Sequence, residues 1–307
     1  MTRVLVFGGS GLIGAATVRL LLDRGHEAVL FSRGAASVPG ALGAERGDIA
    51  DKAAVSGAFA KWRPDAVLQL AACLQVQCQQ DPAGAVATNV TGATNVLDAA
   101  ADHGVGRFIF ASSIAAYGER HDLMREDDPP APQISIYGEM KRLGERLGIQ
   151  YAAKAAMSFA ALRYSGVFGT GGASAPGMSL ARHMLMETAA GNDAELDFVN
   201  GEELAHLTYV ADAAEASYLA LTNAKLGYPI YNIGGPAENH ISLKGFHAAV
   251  RHAQPGAGNA RFGTQPGAKP AGPVDITRMR DDLGWSPRYG VEAGIKAALT
   301  AALGPSA

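Results

Sequence analysis

Tyr137 and Lys141 stand four residues apart in Tyr137-Gly138-Glu139-Met140-Lys141, and on a helix that spacing puts a phenol and an ammonium on one face. A phenol with a pKa near 10 is a poor proton carrier at neutral pH. A cation about 4 Å away contributes roughly 4 kcal/mol at intermediate dielectric, enough to bring the phenol down toward neutrality. Tyr137 tuned in this way could take a proton from an alcohol or give one to a ketone. Ser112-Ser113, at the end of an apolar run, could hold the reacting oxygen with a hydroxyl. Taken alone, a Tyr and a Lys at this spacing are common by chance and describe a surface pair equally well.

The second constellation is Gly8-Gly9-Ser10-Gly11-Leu12-Ile13-Gly14, which satisfies GxGxxG from Gly9 and GxxGxxG from Gly8. Val4 to Phe7 precede it as an apolar run. Leu12, Ile13, Ala16, Leu20 and Leu21 follow at helical spacing until Gly25, so the segment reads strand, tight turn, helix. The glycines permit a sharp turn and close approach of a pyrophosphate, while the helix N-terminus offers free N–H groups and a partial positive charge. About 20 residues further on, where an NAD enzyme carries Asp or Glu for the ribose 2′-hydroxyl, stand Ser32 and Arg33. A hydroxyl beside a guanidinium suits a 2′-phosphate, so NADP(H) is expected in preference to NAD(H); the alternative is a solvent-facing Arg33 with no ligand. Asp48-Ile49 close a further strand-like stretch and are candidates to hold the adenine, with helix capping by Asp48 or Asp51 as the alternative.

These groups need a scaffold. Apolar runs at Val4 to Phe7, Ala28 to Phe31, Ala66 to Ala72, Arg107 to Ala111 and Met157 to Tyr164 alternate with helical patterns. The helices are the one ending at Gly25, then Ala53 to Trp62, Val86 to Ala101 and Ile136 to Ala153. Strands apolar on both faces and separated by helices predict an α/β fold, a doubly wound parallel (Rossmann) sheet covered on each side. The dinucleotide-binding domain is expected over 1–165 plus about 206–235, where His206 to Val210 and Ile230 to Ile233 read as a return to the sheet. Gly169 to Gly172 and Pro176-Gly177 mark a crossing into a smaller, discontinuous C-terminal substrate-binding domain, about 166–205 and 236–307. Within it, helices near Leu243 to His252 and Val291 to Leu303 flank a Gly/Pro-rich stretch, Pro255 to Pro273.

The chain has 307 residues with 26 Lys or Arg and 29 Asp or Glu, a net charge of -3, and 48% hydrophobic residues, which excludes a disordered chain. Without a basic stripe, nucleic acid is not an expected partner. The longest apolar stretch, Ala66 to Val76, is broken by Gln69 and Gln75 and falls short of the ~18 residues of a membrane span. Val4 to Phe7 is too short for a signal-peptide core of about 7–15 residues, so a cytoplasmic location is expected. Cys73 and Cys78 are five apart, which fits neither a disulfide framework nor a zinc pair, and no metal site is expected. His183 and His206 are candidate acid-base groups, with a surface or capping role as the plainer alternative for each.

Together these residues resemble the extended short-chain dehydrogenase/reductases, the NAD-dependent epimerase/dehydratase family. The resemblance covers nearly the whole chain. Beyond the glycine turn and the Tyr137/Lys141 pair it includes Leu70-Ala71-Ala72, Asn89-Val90, Ser112-Ser113-Ile114-Ala115-Ala116-Tyr117-Gly118 and Arg163-Tyr164 leading to Phe168-Gly169. It also takes in Tyr209-Val210-Ala211-Asp212 and Leu283-Gly284-Trp285-Ser286-Pro287. It implies that Ser113 is the catalytic hydroxyl, Tyr137 the acid-base group, and Lys141 both its tuner and a ligand of the nicotinamide ribose. It further implies cofactor contacts at Gly8, Gly11, Leu12, Ile13, Gly14, Ser32, Arg33, Asp48, Ile49, Leu70, Ala71, Ala72, Asn89, Ser112, Tyr164 and Val167. A homodimer paired through the helices Val86 to Ala101 and Ile136 to Ala153 follows from the same resemblance.

Departures from the family pattern bear on the substrate. Dehydratases of the family carry Asp-Glu after the active hydroxyl, and here Ile114-Ala115 stand there, against dehydration. Nucleotide-sugar enzymes carry an Asn and an Arg that grip the diphosphate. Gly166 and Ala205 occupy those places, leaving Arg163, Arg182 and Lys225 as substitutes. The expected activity is nicotinamide-dependent hydride transfer to or from a secondary alcohol or carbonyl of a small, sugar-like substrate. One alternative is a nucleotide-sugar 4-epimerase with tightly held NAD. Another is a non-catalytic NADP(H) sensor, against which the intact Ser113, Tyr137 and Lys141 argue.

Overall fold

Alternation along each strand of the main sheet sends apolar side chains to both faces. Val4, Val6, Leu30 and Leu68 pack with Ala15, Val18 and Leu21 on one side. Leu5, Phe7, Val29, Phe31 and Val67 pack with Val55, Phe59, Val96 and Leu97 on the other. A sheet apolar on both faces must be covered twice, and the connections between its strands supply the covering helices. The computed structural model describes residues 1–34, 37–172, 179–264 and 272–303. The expected turn at Pro176-Gly177 and the middle of the Pro255 to Pro273 stretch lie outside the described residues.

The elements run β1 (Arg3–Phe7), α1 (Leu12–Asp23), β2 (Glu27–Ser32), β3 (Gly43–Arg46), α2 (Lys52–Trp62), β4 (Ala66–Gln69), α3 (Gln75–Gln80) and α4 (Pro82–Val86). A π-helical turn over Ala87–Gly92 leads into α5 (Ala93–Asp102), then β5 (Arg107–Ser113), a 3₁₀ turn (Ile114–Tyr117), α6 (Ile136–Ala155) and β6 (Ser158–Tyr164). The second half holds β7 (Gly166–Phe168), α7 (Leu180–Ala189), β8 (Ala194–Asn200), β9 (Leu204–Tyr209), α8 (Val210–Thr222) and β10 (Ile230–Ile233). It ends with β11 (His240–Ser242), α9 (Leu243–Ala253), β12 (Ala260–Gly263), α10 (Thr277–Leu283) and α11 (Val291–Leu303).

The main sheet has seven parallel strands in the order β3-β2-β1-β4-β5-β6-β10, the doubly wound arrangement expected from the sequence. Strand order reverses between β1 and β4, and in such sheets ligands bind at the carboxyl ends beside that switch point. The return to the sheet is made by α8 and β10 alone. His206 to Tyr209, expected to join it, lie in β9, which pairs with β7 and β11 in a separate three-stranded sheet. β8 and β12 form a third, two-stranded sheet.

Two other expectations shift for local reasons. Asp48 and Ile49 lie beyond the end of β3; the Asp48 carboxylate accepts from Ala50 N at 2.9 Å, and it is Asp51 that caps α2, accepting from Ala53 N and Ala54 N. The helix read over Val86 to Ala101 is wound loosely at Ala87–Gly92 before tightening into α5. On the helices expected to pair two copies, Val86, Ile136 and Leu143 are exposed. Among the described residues no helix is long and apolar enough to cross a membrane.

Two of the quoted motifs turn out to be one contact. The Asp212 carboxylate, on the first turn of α8, accepts from Arg288 N at 3.0 Å and Tyr289 N at 3.1 Å, and the buried Trp285 donates its Nε1 to Asp212 O at 3.1 Å. This ties the segment after α10 to the helix that packs on β4 and β5.

Candidate active site

At the end of β1, Gly8 takes φ +81°, a left-handed conformation open to glycine, and its N–H donates to Phe31 O at 2.9 Å. Gly11 N then donates to Gly8 O at 3.0 Å, closing the turn into α1. A Cβ on Gly14 would lie 2.4 Å from Gly8 O, and one on Gly8 would lie 2.9 Å from Ala71 N, so both positions exclude any side chain. The turn and the Leu70–Ala72 segment thus abut at the switch point. Gly11, the residue before α1, contributes no side-chain cap, which leaves the first-turn N–H groups of Leu12 and Ile13 without a side-chain acceptor. An uncapped N-terminus beside backbone too close for side chains fits a diphosphate, and thus the dinucleotide cofactor.

The far edge of this end of the sheet carries positive charge. Ser32 is buried and donates to Gly34 O at 2.9 Å, while Arg33 is exposed. Arg46, paired in register with Ser32, donates its Nε to Arg33 O at 3.1 Å, so two guanidinium-bearing residues meet at one corner. Sequence reasoning missed Arg46 because β3 reads Gly-Ala-Glu-Arg, with no apolar alternation to mark it. Ile49 is buried in the core between sheet and helices, and its carbonyl accepts from Asn95 Nδ2 at 2.9 Å, so its side chain is not offered to an adenine.

Across the switch point stand the candidate catalytic residues. Ser113 ends β5, and its Oγ accepts from Ala115 N at 3.1 Å, capping the 3₁₀ turn. The Tyr137 hydroxyl faces the Ser113 side chain, whose influence works to lower the phenol pKa. What brings them together is the neighbouring glycine: a Cβ on Gly138 would lie 2.2 Å from Ala115 O, so the first turn of α6 packs directly on the backbone that follows Ser113. Lys141 is buried on the next turn, 5.5 Å from the centre of the Tyr137 ring, and donates to Ala111 O at 2.6 Å. The expectation that Lys141 pulls the Tyr137 phenol toward neutrality is not met by the protein alone. Burial raises the Tyr137 pKa above the ordinary phenol value, and burial brings Lys141 down to about 8. The β5 carbonyl, rather than the phenol, holds the ammonium.

Alternation on β5 separates the two serines. Ser112 turns to the opposite face and donates to Glu145 Oε1 at 2.5 Å, so the expectation that its side chain meets the cofactor is corrected. Glu145, one helical turn beyond Lys141, is gripped by Arg163 through two bonds of 2.7 Å. Arg163 also donates to Glu126 O at 3.1 Å and stacks 4.6 Å over the Tyr117 ring, whose hydroxyl donates to Asn232 Oδ1 at 2.7 Å. Sequence spacing could have found Glu145, since it shares a helix face with Lys141.

Other candidates are likewise committed elsewhere. The Tyr164 hydroxyl bonds Ser217 Oγ at 2.8 Å within the core, and Val167 is buried with its carbonyl taken by Ser179 Oγ at 2.5 Å. Neither presents a side chain to a cofactor. Asn89 is buried in the π-helical turn and clamps Cys73 through both its N–H (2.7 Å) and its carbonyl (2.9 Å), so it shapes the segment carrying Leu70–Ala72. His206 is buried, with Nε2 against Gly235 O at 2.9 Å and Nδ1 accepting from Val274 N at 2.8 Å; both nitrogens are satisfied, which corrects its reading as an acid-base group. Arg163 is likewise unavailable as a substitute diphosphate ligand.

A doubly wound sheet with an uncapped glycine turn at its switch point, facing a serine, a tyrosine and a lysine, defines a nicotinamide-dependent enzyme of the short-chain dehydrogenase type. Residues 4–234 match the NAD dependent epimerase/dehydratase family, and the chain belongs to it. A UDP-glucose 4-epimerase of Lactobacillus helveticus is 29% identical over 94% of this chain and 92% of its own. A dTDP-glucose 4,6-dehydratase of Neisseria meningitidis serogroup B is 29% identical over 96% of this chain and 92% of its own. In structure, the chain is similar to the Thermus thermophilus UDP-glucose 4-epimerase solved with NAD, with a TM-score of 0.87, 27% identity, and coverage of 98% of this chain and 99% of that one.

Replacing Glu145 by Gln leaves the Arg163 guanidinium buried without its counter-charge, and the expected loss is about 3–5 kcal/mol of folding stability. Urea denaturation measures it, and a loss below about 1 kcal/mol would show that the pair is not holding β5, β6 and α6 together.

Proposed function

We propose that this enzyme moves hydride between its nicotinamide cofactor and a secondary alcohol or ketone of a small, sugar-like substrate. The observation that carries the reading is the packing of the first turn of α6 on the backbone after Ser113, which sets Tyr137 beside Ser113 with Lys141 buried 5.5 Å from the phenol ring centre. In the reducing direction Tyr137 gives its proton to the substrate oxygen, and in the oxidising direction it takes one. Ser113 fixes that oxygen by donating to it. When bound, the nicotinamide supplies the hydride donor or acceptor. Lys141 keeps positive charge near the phenol and holds the nicotinamide ribose by its ammonium. The substrate lies between this cluster and the unit formed by about 166–205 and 236–307.

Gly166 and Ala205 support a substrate without a nucleotide. A Cβ on Gly166 would lie 3.0 Å from the Leu207 side chain, so β7 has little room for a donor there, and Ala205 is packed against the core. Burying two phosphate charges without donors costs several kcal/mol, more than sugar hydroxyl contacts recover. Ile114 and Ala115 are buried apolar residues in the turn after Ser113, which argues against dehydration. The nucleotide-sugar 4-epimerase reading is kept as the second, because the end-to-end relative reported above carries that activity.

Arg33 and Arg46 favour NADP(H). Charge-assisted bonds to a 2′-phosphate are each worth about 1.5–3 kcal/mol. Arg33→Ala and Arg46→Ala should therefore each weaken NADP(H) at least tenfold in calorimetric titration while changing NAD(H) less than twofold. Tighter binding of NAD(H) than of NADP(H) by the unaltered protein defeats this assignment.

Tyr137→Phe should lower kcat more than tenfold on a small alcohol or ketone while cofactor affinity stays within about twofold, the pattern of an interaction made in the transition state. Retention of over a tenth of the turnover would sink the acid-base role. On the same protein, millimolar UDP, GDP or dTDP should neither raise the melting temperature nor inhibit. A clear melting shift with one of them moves the assignment to the epimerase.

A further inference from the structure

Arg182, on the first turn of α7, is 4% exposed. Its Nη2 donates to Gly171 O at 3.0 Å, its Nε has no partner, and among the described residues no carboxylate pairs with it. Burial alone acts on its pKa, and lowers it. Arg163 has Glu145, and Arg107 donates to Ala220 O and Asn223 O at the C-terminal end of α8, where the helix dipole is negative. Among the described residues Arg182 has one carbonyl and no carboxylate. An ion buried in this way costs several kcal/mol unless something compensates it.

The carbonyl that Arg182 holds belongs to a strap that crosses the cofactor end of the sheet. Gly171 and Gly172 both take left-handed φ, +93° and +67°. A Cβ on Gly172 would lie 2.6 Å from the carbonyl carbon and oxygen of Gly11 and 2.8 Å from Leu12 N. The strap therefore rests on the uncapped N-terminus of α1, with Arg182 bonded to it one residue away. Thr170 anchors the other side by donating to Ala298 O at 3.0 Å. The α1 N-terminus, with its partial positive charge, and the Arg182 guanidinium thus both meet the strap, at Gly172 and at the Gly171 carbonyl, and among the described residues no carboxylate pairs with Arg182 there.

We propose that Arg182 is an anion-binding residue for the cofactor, reaching its pyrophosphate beside the point where the strap touches the helix, while the first turn of α1 donates to the same group. This deepens the cofactor reading and rests on the glycine turn being the pyrophosphate site. The substrate-side helix α7 thereby contributes directly to holding the dinucleotide, and Gly172 is required because only a hydrogen fits between strap and helix.

The test is calorimetric titration of the full chain with ADP, which brings a diphosphate, with adenosine, which brings none, and with UDP. Arg182→Gln should weaken ADP about tenfold or more and leave adenosine unchanged, with Arg182→Lys recovering part of the loss. Gly172→Ala, which adds a methyl against Gly11 and Leu12, should weaken ADP as well and serves if Arg182→Gln does not fold. Unchanged ADP affinity in the folded Arg182 variants, or in Gly172→Ala and Arg182→Lys together, overturns the proposal. So does a loss confined to UDP, which would place Arg182 on a substrate phosphate. Failure of the unaltered protein to bind ADP would instead overturn the glycine-turn reading itself.

Discussion

A guanidinium and a carboxylate closed off from water, Arg163 and Glu145, sit behind everything the candidate site does. Their two short bonds join β6 to α6, and the same carboxylate accepts from Ser112 on β5. Such a pair adds little to stability over an apolar substitute, but it tolerates only one geometry once buried. That geometry sets the rotation of α6 about its axis. With Glu145 fixed on the buried face, Lys141 is fixed one turn earlier and Tyr137 one turn before that. The ion pair is thus remote from the reacting atoms and still determines where they stand.

The site is assembled from close backbone contacts as much as from side chains. Gly138 lets α6 touch the backbone at Ala115, Gly14 lets α1 touch Gly8, and Gly8 lets the turn touch Ala71. Each contact removes a Cβ where a side chain would hold two elements apart. The π-helical turn at Asn89 belongs to the same logic: loosening the helix by one residue brings an amide inward to clamp Cys73.

Much of this was legible in the sequence, and what was not had definite physical causes. The glycine turn, the Tyr137/Lys141 pair and the parallel sheet follow from local patterns with strong periodicity or fixed spacing. The strand-like stretch before Asp48-Ile49 is legible, but β3 ends earlier, at Arg46, and its four residues carry no apolar alternation to show which way Arg46 faces. The opposite fates of Ser112 and Ser113 depend on which face of β5 is buried against α6, and two adjacent serines look alike until the register of the strand is known. The tuning of Tyr137 was misjudged because a Coulomb argument between two residues omits competitors: Ala111 O lies nearer the ammonium than the phenol does, and burial acts on both groups. His206 illustrates the converse, a residue whose chemistry is exhausted by backbone groups 29 and 68 positions away.

The latch between Asp212 and the segment at Arg288 and Tyr289 has a consequence for how the chain is made. The carboxylate sits on the helix that packs on β4 and β5, yet its two donors come 76 and 77 residues later. At ribosomal rates of about 5–20 residues per second, roughly 4–15 s separate their emergence. Throughout that interval the Asp212 carboxylate lacks the two N–H donors that satisfy it in the folded protein and must stay hydrated. A ribosome stalled before residue 288 would therefore hold a sheet whose strands have formed while the first turn of α8 is still unlatched.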